Sequence, residues 1–594
     1  MDDGAPTIQA RFDDLRSGAE RSFRLVGPVG VIEARRPEEV APALGALEAT
    51  AAEGLWAAGF VSYEAAPALD PDLEVRSRPA DDPFADLPLL WFATFEACQD
   101  DFLDEDARPT ASTGPWRPSV DRAAYDAAIE RIREHIAAGD THQVNHTLRL
   151  RSRFDGDERD LYRDLCLAQR GGCAAYLNAG RYRVLSASPE LFFRIDGDHI
   201  TTRPMKGTAP RGRWTAEDDA AAARLVASAK ERAENAMIVD LLRNDLGRIS
   251  EPGSVRVERL FETERYETVW QLTSTVSSRL RPGTSLVEVF RALFPSGSVT
   301  GAPKVATMRI IVGLEDSPRG VYCGAVGYLA PPGSDEPRAR FNVAIRTVVL
   351  DRQTHTAEYG VGGGITHDSQ AAREYDEVLT KARVLTVRRP AFGLFETLRY
   401  EPAAGFLHLV EHLDRLGGSA RYFGFRFDRN EALGALKKAA AGAGGQARVR
   451  LTLARDGTLR AETSPLPAAP EDPVRVAFDD EPVDPTNPWL FHKTTLREPY
   501  EGRRRRRPDV DDVLLVNDRG EVTESTIANL AVRLDATWWT PPLDAGLLAG
   551  TYRAVLLREG KLRERPIRIE ELRSAEEIAL VSSVRGWHRV VMVL

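Results

Sequence analysis

Hydrophobic and polar positions recur at regular intervals along the first part of the chain, and each interval indicates an element. Residues 1–96 alternate in short strand-like runs around an Ala-rich helical stretch. Residues 121–140 repeat apolar positions at helical spacing, with Asp121 as the expected N-cap and Gly139 as the C-terminal stop. A longer helix is predicted over 216–246. The pattern therefore predicts a mixed α and β protein.

Two changes in composition along the chain suggest its organisation. Residues 99–120 are first acidic and then rich in Pro, Ser and Thr, which is typical of a surface linker. A helical pattern closes near 388, and a new strand–turn–strand–helix pattern starts after 391. We therefore predict one domain over 1–388 and a second over 391–594.

Composition and charge exclude several classes of partner. The chain has 594 residues, 43% hydrophobic and 28% charged, with a formal net charge of −10, which argues against nucleic-acid or anionic-membrane partners. Its acidic start lacks the pattern of a signal peptide, and no apolar run is long enough to span a bilayer. The four cysteines show no metal-ligand spacing. These features predict a cytoplasmic protein.

One lysine lies in an unusually constrained setting. Residues 201–212 read TTRPMKGTAPRG, so that Lys206 stands between Pro-Met and Gly-Thr. A lysine acts as a nucleophile only when burial or a neighbouring cation lowers its pKa, and Arg203 and Arg211 are close in sequence. From the residues alone, a surface lysine in a turn and a reactive lysine both stay open.

Two pairs of glutamates occur at helical spacing. Glu231 and Glu234 are three residues apart on one predicted helix, and Glu374 and Glu377 have the same spacing on another. This spacing puts each pair on one helix face. Most such pairs are merely solvated, so the spacing alone does not assign them a function.

Seven segments, in order, resemble the chorismate-utilising enzymes, the family of anthranilate synthase and aminodeoxychorismate synthase component I. They are SASPELFF (186–193), RPMKGTAPRG (203–212), KERAENAMIVDLLRNDLGRI (230–249), FPSGSVTGAPK (294–304), CGAVGYL (323–329), FNVAIRT (341–347) and GVGGGITHDSQAAREYDEVLTKA (360–382). The resemblance implies an α+β fold for the first domain, with two packed antiparallel sheets and helices outside.

The resemblance also implies roles for particular residues in a reaction on chorismate. Lys206 would attack C2 of the ring and displace the C4 hydroxyl, and Glu190 would be the general acid. Anthranilate-forming members carry alanine at the position of Lys206. The family further implies Mg²⁺, with Glu234 and Glu374 as direct ligands and Glu231 and Glu377 as water-mediated partners.

Further positions match the family's substrate contacts. Arg346 would grip a carboxylate through its planar guanidinium group. The remaining expected contacts with substrate are Tyr328, Thr300, Gly362, Gly363 and Gly364. Gln143 stands where isochorismate formers carry a water-activating lysine, and Gln271 stands where anthranilate synthases have a histidine. The first difference argues against water as the nucleophile, and the second disfavours elimination of pyruvate to anthranilate.

The second half resembles the class IV pyridoxal-phosphate aminotransferase fold, which includes aminodeoxychorismate lyase and the branched-chain aminotransferases. The matching segments are GLFETLR (393–399), HLDRLGGSA (412–420), HKTTLREPYE (492–501), NDRGEVTESTIANL (517–530), TPPLDAGLLAGTYR (540–553) and SSVRGW (582–587). The resemblance implies a two-lobed domain in which Lys493 binds pyridoxal phosphate and acts as acid and base. Glu524 would face the pyridine nitrogen. The phosphate contacts would be Arg415, Gly550, Thr551 and Ser583.

Together the resemblances predict a bifunctional enzyme that converts chorismate to 4-aminobenzoate. The chain shows no Gly-x-Cys-x-Gly glutaminase motif, so a separate glutamine amidotransferase subunit is expected to supply ammonia. Class IV sites often form at a dimer interface, so a homodimer through the second domain is expected. The alternatives are a second half that is a D-alanine or branched-chain-type aminotransferase, an anthranilate synthase component I, and a non-catalytic regulatory subunit.

Overall fold

The computed structural model describes residues 8–16, 21–104, 112–386, 391–468 and 473–593. The chain forms two compact units. Unit 1 lies within Met1–Pro210 and Ala222–Arg389, and unit 2 combines Arg211–Ala221 with Pro390–Leu594. The sequence pattern placed residues 211–221 in the first domain, because it gives no information on which core a short segment packs against.

Unit 1 is built from nineteen described strands and the helices that cover them. The strands are β1 (Gln9–Asp14), β2 (Arg21–Ala34), β3 (Trp56–Val61), β4 (Leu90–Asp100), β5 (Ser112–Thr113), β6 (Arg117–Pro118), β7 (Gln143–Asp155), β8 (Cys173–Ala179), β9 (Tyr182–Ser188), β10 (Leu191–Asp196), β11 (His199–Arg203), β12 (Met205–Pro210), β13 (Arg256–Arg265), β14 (Val269–Arg279), β15 (Gly301–Ala302), β16 (Ala325–Leu329), β17 (Ala339–Val343), β18 (Thr347–Asp351) and β19 (Thr356–Ile365). The helices are α1 (Pro37–Ala52), α2 (Ala66–Leu69), α3 (Arg122–Ala138), α4 (Glu158–Gln169), α5 (Thr215–Ala227, of which the first part belongs to unit 2), α6 (Ala229–Gly247), α7 (Leu286–Leu293), α8 (Lys304–Leu314) and α9 (Ala371–Ala382).

The described strands of unit 1 pair antiparallel, and their ladders join into one continuous hydrogen-bonded network. Two pairings build the site described below. Strand β12 pairs with β14, and β19 pairs with β7 along its whole length. Helices pack on this network over buried cores of aliphatic and aromatic side chains. The predicted α+β class is confirmed.

Local signals explain where the helices of unit 1 begin and end. The Asp121 carboxylate accepts a hydrogen bond from Ala124 N at 2.8 Å, and Gly139 ends α3 in the left-handed region with φ 84°. Both predicted caps are confirmed. The helix predicted over 216–246 is interrupted, because Ser228 is extended and its hydroxyl accepts from Glu231 N. Ser228 thereby starts α6 so that Glu231 lies in its first turn.

The predicted surface linker over 99–120 is only partly within the described residues. Residues 105–111 lie outside them. Within the described part, β5 and β6 each form a short antiparallel ladder with β7. No described helix is long and apolar enough to cross a membrane.

Unit 2 contains two sheets, each with its own core. The strands are β20 (Leu394–Glu401), β21 (Gly405–Phe406), β22 (Ala447–Leu453), β23 (Leu459–Pro465), β24 (Val474–Phe478), β25 (Asp512–Val516), β26 (Val522–Ser525), β27 (Asn529–Leu534), β28 (Thr537–Thr540), β29 (Arg563–Glu564), β30 (Glu577–Ser582) and β31 (Gly586–Met592). The helices are α10 (Leu409–Phe423), α11 (Arg429–Ala441), α12 (Glu498–Arg506), α13 (Thr551–Arg558) and α14 (Ile569–Arg573).

The two sheets correspond to the two lobes that the resemblance implies. Strands β20 to β23 form an antiparallel sheet in the order β21-β20-β22-β23, on which α10 and α11 pack. The other eight strands form a mixed sheet in which β24 pairs parallel with both β25 and β31. Each lobe contributes residues to the cavity that holds Lys493.

Candidate active sites

A cavity in unit 1 brings together the lysine and the acid that the sequence singled out. Lys206 lies on β12 and Glu190 follows β9, and both line this cavity. Burial is the main cause that lowers the pKa of Lys206, although the nearby Glu234 carboxylate acts in the opposite direction. A larger fraction of the amine is therefore neutral, as a nucleophile requires.

The carboxyl group of Glu190 has a pKa that suits a general acid. Its residue is only 3% exposed, and this burial raises the pKa of the carboxyl group to about 7, against a smaller lowering by the Ser298 hydroxyl and the Lys206 charge. A carboxyl group in this range holds its proton in a large fraction of molecules near neutral pH.

All four glutamates of the two predicted pairs line the same cavity, one pair from α6 and the other from α9. Burial, reinforced by Glu234, raises the pKa of Glu231, and burial followed by the charge of Glu377 raises the pKa of Glu374. The Lys381 ammonium, 2.6 Å from Glu377, lowers the pKa of that carboxyl group.

The four carboxylates are oxygen ligands of the kind that Mg²⁺ prefers, although they do not enclose a complete coordination site. Within the described residues, no three carboxylate, imidazole or thiolate groups stand close enough together to enclose a metal ion. Mg²⁺ prefers oxygen ligands, keeps several waters and takes one or two carboxylates together with substrate oxygens. Two facing pairs of carboxylates that line an open cavity meet that requirement.

The backbone of Lys206 is tied to the helix that carries one glutamate pair. The Asn235 amide donates to Lys206 O at 3.3 Å and to Leu272 O at 3.2 Å, and its own oxygen accepts from the Ser274 hydroxyl at 2.6 Å. Asn235 directly follows Glu234 on α6. The lysine strand and the glutamate helix therefore hold a fixed register.

The glycines of β19 give the cavity its open wall. A Cβ atom on Gly364 would lie 2.4 Å from Lys206 Nζ and 2.6 Å from Gln143 Nε2. A Cβ atom on Gly363 would lie 3.6 Å from both Glu374 Oε2 and Lys381 Nζ. Gly362 also lines the cavity. A side chain at 364 would therefore displace the end of Lys206 or that of Gln143.

Two expected substrate residues do not line this cavity. Tyr328 is buried elsewhere, where its hydroxyl donates to Glu336 at 2.7 Å and its ring lies 4.8 Å from that of Phe12. Thr300 is fully buried, and its hydroxyl donates to Ser296 O. Arg346 does line the cavity, and its guanidinium group donates to the main-chain carbonyl of Lys381.

The structure adds residues that the sequence reading missed. Lys381 lines the cavity and donates to Gly362 O at 2.8 Å; its position four residues after Glu377 was the available signal. Tyr322 and Tyr359 also line the cavity. Gln271 Oε1 accepts from the Thr208 hydroxyl at 2.9 Å, which gives this glutamine a local contact two residues beyond Lys206.

A second cavity, in unit 2, brings together all six residues that were predicted to hold pyridoxal phosphate. They are Lys493, Glu524, Arg415, Gly550, Thr551 and Ser583. The main chain of Lys493 accepts a hydrogen bond from Phe395 N at 3.1 Å, and its Nζ lies 4.9 Å from the Phe395 ring centre. Burial, and then the charge of Arg415, lowers the pKa of Lys493 to about 8.

Glu524 on β26 is a buried carboxylate that lines this cavity. Its carboxylate accepts from the Tyr500 hydroxyl at 3.4 Å and from the Asn529 amide at 3.3 Å. Burial raises the pKa of Glu524 to about 8. An opposite charge within a few ångströms favours the ionised form again, so a protonated pyridine nitrogen and this carboxylate suit each other.

The same cavity is lined by a guanidinium group and by the start of a helix. Arg415 is held by Glu396 through hydrogen bonds of 2.9 and 2.6 Å. His412, one turn earlier, donates to Glu396 at 2.6 Å and lies 3.2 Å from the Thr551 hydroxyl. Thr551 begins α13, and backbone N–H groups at a helix start bind phosphate.

Gly550 has a steric reason to be glycine. A Cβ atom there would lie 1.8 Å from Asn529 Oδ1, and Asn529 is the amide that donates to Glu524. The N–H groups at the start of α13, the Arg415 guanidinium group and the space left by Gly550 together fit a phosphorylated cofactor. His412 was missed by the sequence reading, although it precedes Arg415 by three residues.

Comparisons with known proteins match the two halves of the chain to two different families. Residues 12–387 match the family model described as chorismate binding enzyme, and residues 393–593 match that of amino-transferase class IV. A Streptomyces griseus protein named aminodeoxychorismate synthase is 44% identical over 278 residues, which cover 47% of this chain and 38% of that protein.

Two further matches concern the first half. Anthranilate synthase component 1 of Streptomyces coelicolor is 42% identical over 293 residues, covering 48% of this chain and 56% of that protein. The crystal structure of anthranilate synthase component I from Streptococcus pneumoniae is 28% identical with a TM-score of 0.53, covering 62% of this chain and 93% of that one. The aligned regions thus span 38% and 56% of the lengths of these two curated relatives.

Proposed function

Because the chain belongs to the chorismate binding enzyme family and continues into a class IV aminotransferase unit, we propose that it makes 4-aminobenzoate from chorismate in two steps. The observation that carries the first step is the buried Lys206 amine in one cavity with Glu190 and four glutamates. The second step is carried by the Lys493 cavity, which is also lined by the Glu524 carboxylate, the Arg415 guanidinium group and the start of α13.

In the first step, the neutral amine of Lys206 forms a bond to C2 of the chorismate ring. The ring double bond shifts and the C–O bond at C4 breaks. Glu190 donates its proton to the departing hydroxyl, which leaves as water. Ammonia then forms a bond at C4, the ring double bond shifts back and the lysine nitrogen leaves C2, which regenerates the amine of Lys206. The new ammonium group at C4 gives one proton to the Glu190 carboxylate, which restores the acid. The net change replaces a hydroxyl group with an amino group and retains the enolpyruvyl side chain.

Charged side chains hold the dicarboxylate substrate for this step. Arg346 offers two parallel N–H groups to one carboxylate. Glu234 and Glu374 would hold Mg²⁺, with Glu231 and Glu377 acting through water, and the ion would neutralise the ring carboxylate when bound. Gly363 and Gly364 leave the room that the ring requires.

In the second step, Lys493 would bind pyridoxal phosphate, which when bound to substrate stabilises negative charge at the amine-bearing carbon. The released amine of Lys493 removes the proton from C4 of the ring. The C–O bond to the enolpyruvyl group then breaks, and the ring becomes aromatic. The abstracted proton ends on pyruvate. Glu524 would keep the ring nitrogen of a bound cofactor protonated.

We further propose that ammonia comes from a separate glutamine amidotransferase subunit, and that the chain forms a homodimer through unit 2. Relatives of the first half from Klebsiella aerogenes and Escherichia coli are named aminodeoxychorismate synthase component 1. A component 1 implies a second component, and ammonium salts should replace that component in the test tube.

Product analysis tests the proposal. The purified chain, given chorismate, ammonium, Mg²⁺ and pyridoxal phosphate, should release 4-aminobenzoate and pyruvate in equal amounts. Anthranilate as the product would contradict the first step. Accumulation of 4-amino-4-deoxychorismate, together with glutamate formation from 2-oxoglutarate and an amino acid, would instead support an aminotransferase in the second half. Absence of any visible cofactor band after pyridoxal phosphate is added would favour a non-catalytic second unit.

A further inference from the structure

A short segment from the first half of the sequence is built into unit 2. Residues Arg211–Ala221 begin directly after β12, yet they belong to unit 2. Arg211 forms two hydrogen bonds of 2.7 Å with Asp218, and both side chains are buried. Gly212 N donates to the same carboxylate at 2.9 Å, and a Cβ on Gly212 would lie 2.2 Å from Asp218 N. This loop, a tight turn followed by the first residues of α5, is therefore closed by one buried ion pair.

This loop holds Tyr422 at the end of α10 from three sides. Arg211 donates to Tyr422 O at 2.7 Å, and its guanidinium carbon lies 4.4 Å from the Tyr422 ring centre. The Tyr422 hydroxyl in turn donates to Gly212 O at 2.7 Å. The hydrogen bond from the hydroxyl and the cation over the ring hold the side chain of Tyr422, and the bond from Arg211 to its carbonyl holds the main chain.

The two residues that precede Lys493 pack against this assembly. The His492 ring lies 4.2 Å from the Tyr422 ring, and its Nδ1 is 2.9 Å from the Ser419 hydroxyl. Phe491 stacks on the loop itself, with its ring centre 5.1 Å from that of Trp214. Burial lowers the pKa of His492 to about 3, so the imidazole stays neutral.

We propose that Arg211–Ala221 is a positioning segment for the cofactor lysine of unit 2. The segment contacts Tyr422 and Phe491 directly, and it holds His492 through Tyr422 and through the main chain of Arg213. These contacts set the direction in which Lys493 enters its cavity. They also keep water away from the chain on the side of His492. The inference rests on the proposed role of Lys493 as the residue that binds pyridoxal phosphate.

The packing has a consequence for the ionisation of Lys493. Burial is the main cause of its lowered pKa. If the loop loosens, water reaches this side of the cavity, and the pKa of Lys493 rises towards its ordinary value. Four charged groups from neighbouring elements also act on Lys493. A substitution in the loop leaves them unchanged, because all four lie outside it. They are Arg415, Glu396, Arg497 and Glu524.

The test uses the full-length chain and three variants. Asp218→Asn removes the charge that closes the loop, and Tyr422→Phe removes only the hydroxyl that donates to Gly212 O. Asp219→Asn is the matched control. Asp219 is the residue after Asp218, and its ion pair with Arg421 is exposed to solvent instead of buried. The rate at which the visible band of the lysine-bound cofactor forms, after pyridoxal phosphate is added to cofactor-free protein, is followed against pH.

In the wild type and in Asp219→Asn, this rate should have its midpoint near the lowered pKa of Lys493. In Asp218→Asn and Tyr422→Phe, the midpoint should move to higher pH by about half a unit or more, and the affinity for pyridoxal phosphate should fall about threefold or more. Where Asp218→Asn does not fold, Tyr422→Phe decides the outcome.

Midpoints and affinities equal to those of the wild type in both variants would overturn the inference, even if the melting temperature fell, because a merely structural segment predicts that result. A wild-type chain that never forms the band would overturn the proposed function of unit 2 and this inference with it. A wild-type band combined with unaffected variants would overturn the inference alone.

Discussion

The ionisation of Glu190 yields a quantitative prediction for the first step. With a pKa of about 7, this carboxyl group carries its proton in about half of the molecules at pH 7, whereas a carboxyl group at the ordinary value of 4.5 would do so in about one in 300. The reactive form is the protonated one. The protonated fraction therefore falls as pH rises, to about one thirtieth at pH 8.5.

The neutral amine of Lys206 imposes the opposite dependence. Its lowered pKa means that the neutral fraction rises with pH and approaches its limit earlier than for an ordinary lysine. The rate of attack should therefore be bell-shaped, with Lys206 on the acid side and Glu190 on the alkaline side. Glu190→Gln keeps the shape of the side chain but has no proton to donate, so it should remove the alkaline limb and slow the step about 10²- to 10⁴-fold.

The assay must separate these groups from the ionisation of ammonium. Without ammonia the first step stops when Lys206 has bonded to the ring, so intact-protein mass spectrometry after rapid quenching measures the adduct directly at each pH. Glu258→Gln is the control, since Glu258 is exposed on β13 and lies outside the cavity. If Glu190→Gln forms the adduct within a few-fold of the wild-type rate, or keeps the alkaline limb, Glu190 is not the acid.

Three further predictions concern the two cavities. Gly364→Ala places a methyl group 2.4 Å from Lys206 Nζ and should abolish the adduct, whereas Gly313→Ala, with open space around it, should leave adduct formation unchanged by the same mass measurement. Glu524→Gln cannot pair with a protonated pyridine and should slow 4-aminobenzoate release from added 4-amino-4-deoxychorismate at least tenfold; the exposed Glu462→Gln is its control, and equal rates would refute the assignment. A chelator should stop chorismate consumption but not this second reaction, and Mg²⁺ should restore the first; loss of both would show that the metal acts elsewhere.

Short-range signals in the sequence predicted the local structure well. Asp121 and Gly139 mark the ends of α3 because capping depends on a few neighbouring residues. The break at Ser228 was missed, since alanine-rich helical spacing continues on both sides of it. A serine hydroxyl that caps a new helix looks in sequence like a serine on the surface of a continuous one.

The candidate site residues could be predicted from the sequence where they belong to a recognisable motif. Lys206, Glu190 and the glutamate pairs were found from motifs, and the fold brings them to one cavity. Tyr328 belongs to a matching motif, but its hydroxyl donates to Glu336 instead, and the sequence does not tell which face of a strand meets the cavity when both faces are buried. The sequence also carries no sign that residues 211–221 pack with unit 2, because which core a loop joins depends on contacts far away in the chain.

The amide of Asn235 connects the strand that carries Lys206 to the helix that carries Glu234. It grips the main chain of Lys206 while standing next to Glu234 on the same helix. Anyone who transplants this chemistry into another scaffold must therefore carry three parts across as a single block: the strand, the helix and the amide that spaces them. Copying the side chains alone would leave the distance between Lys206 and Glu234 to chance.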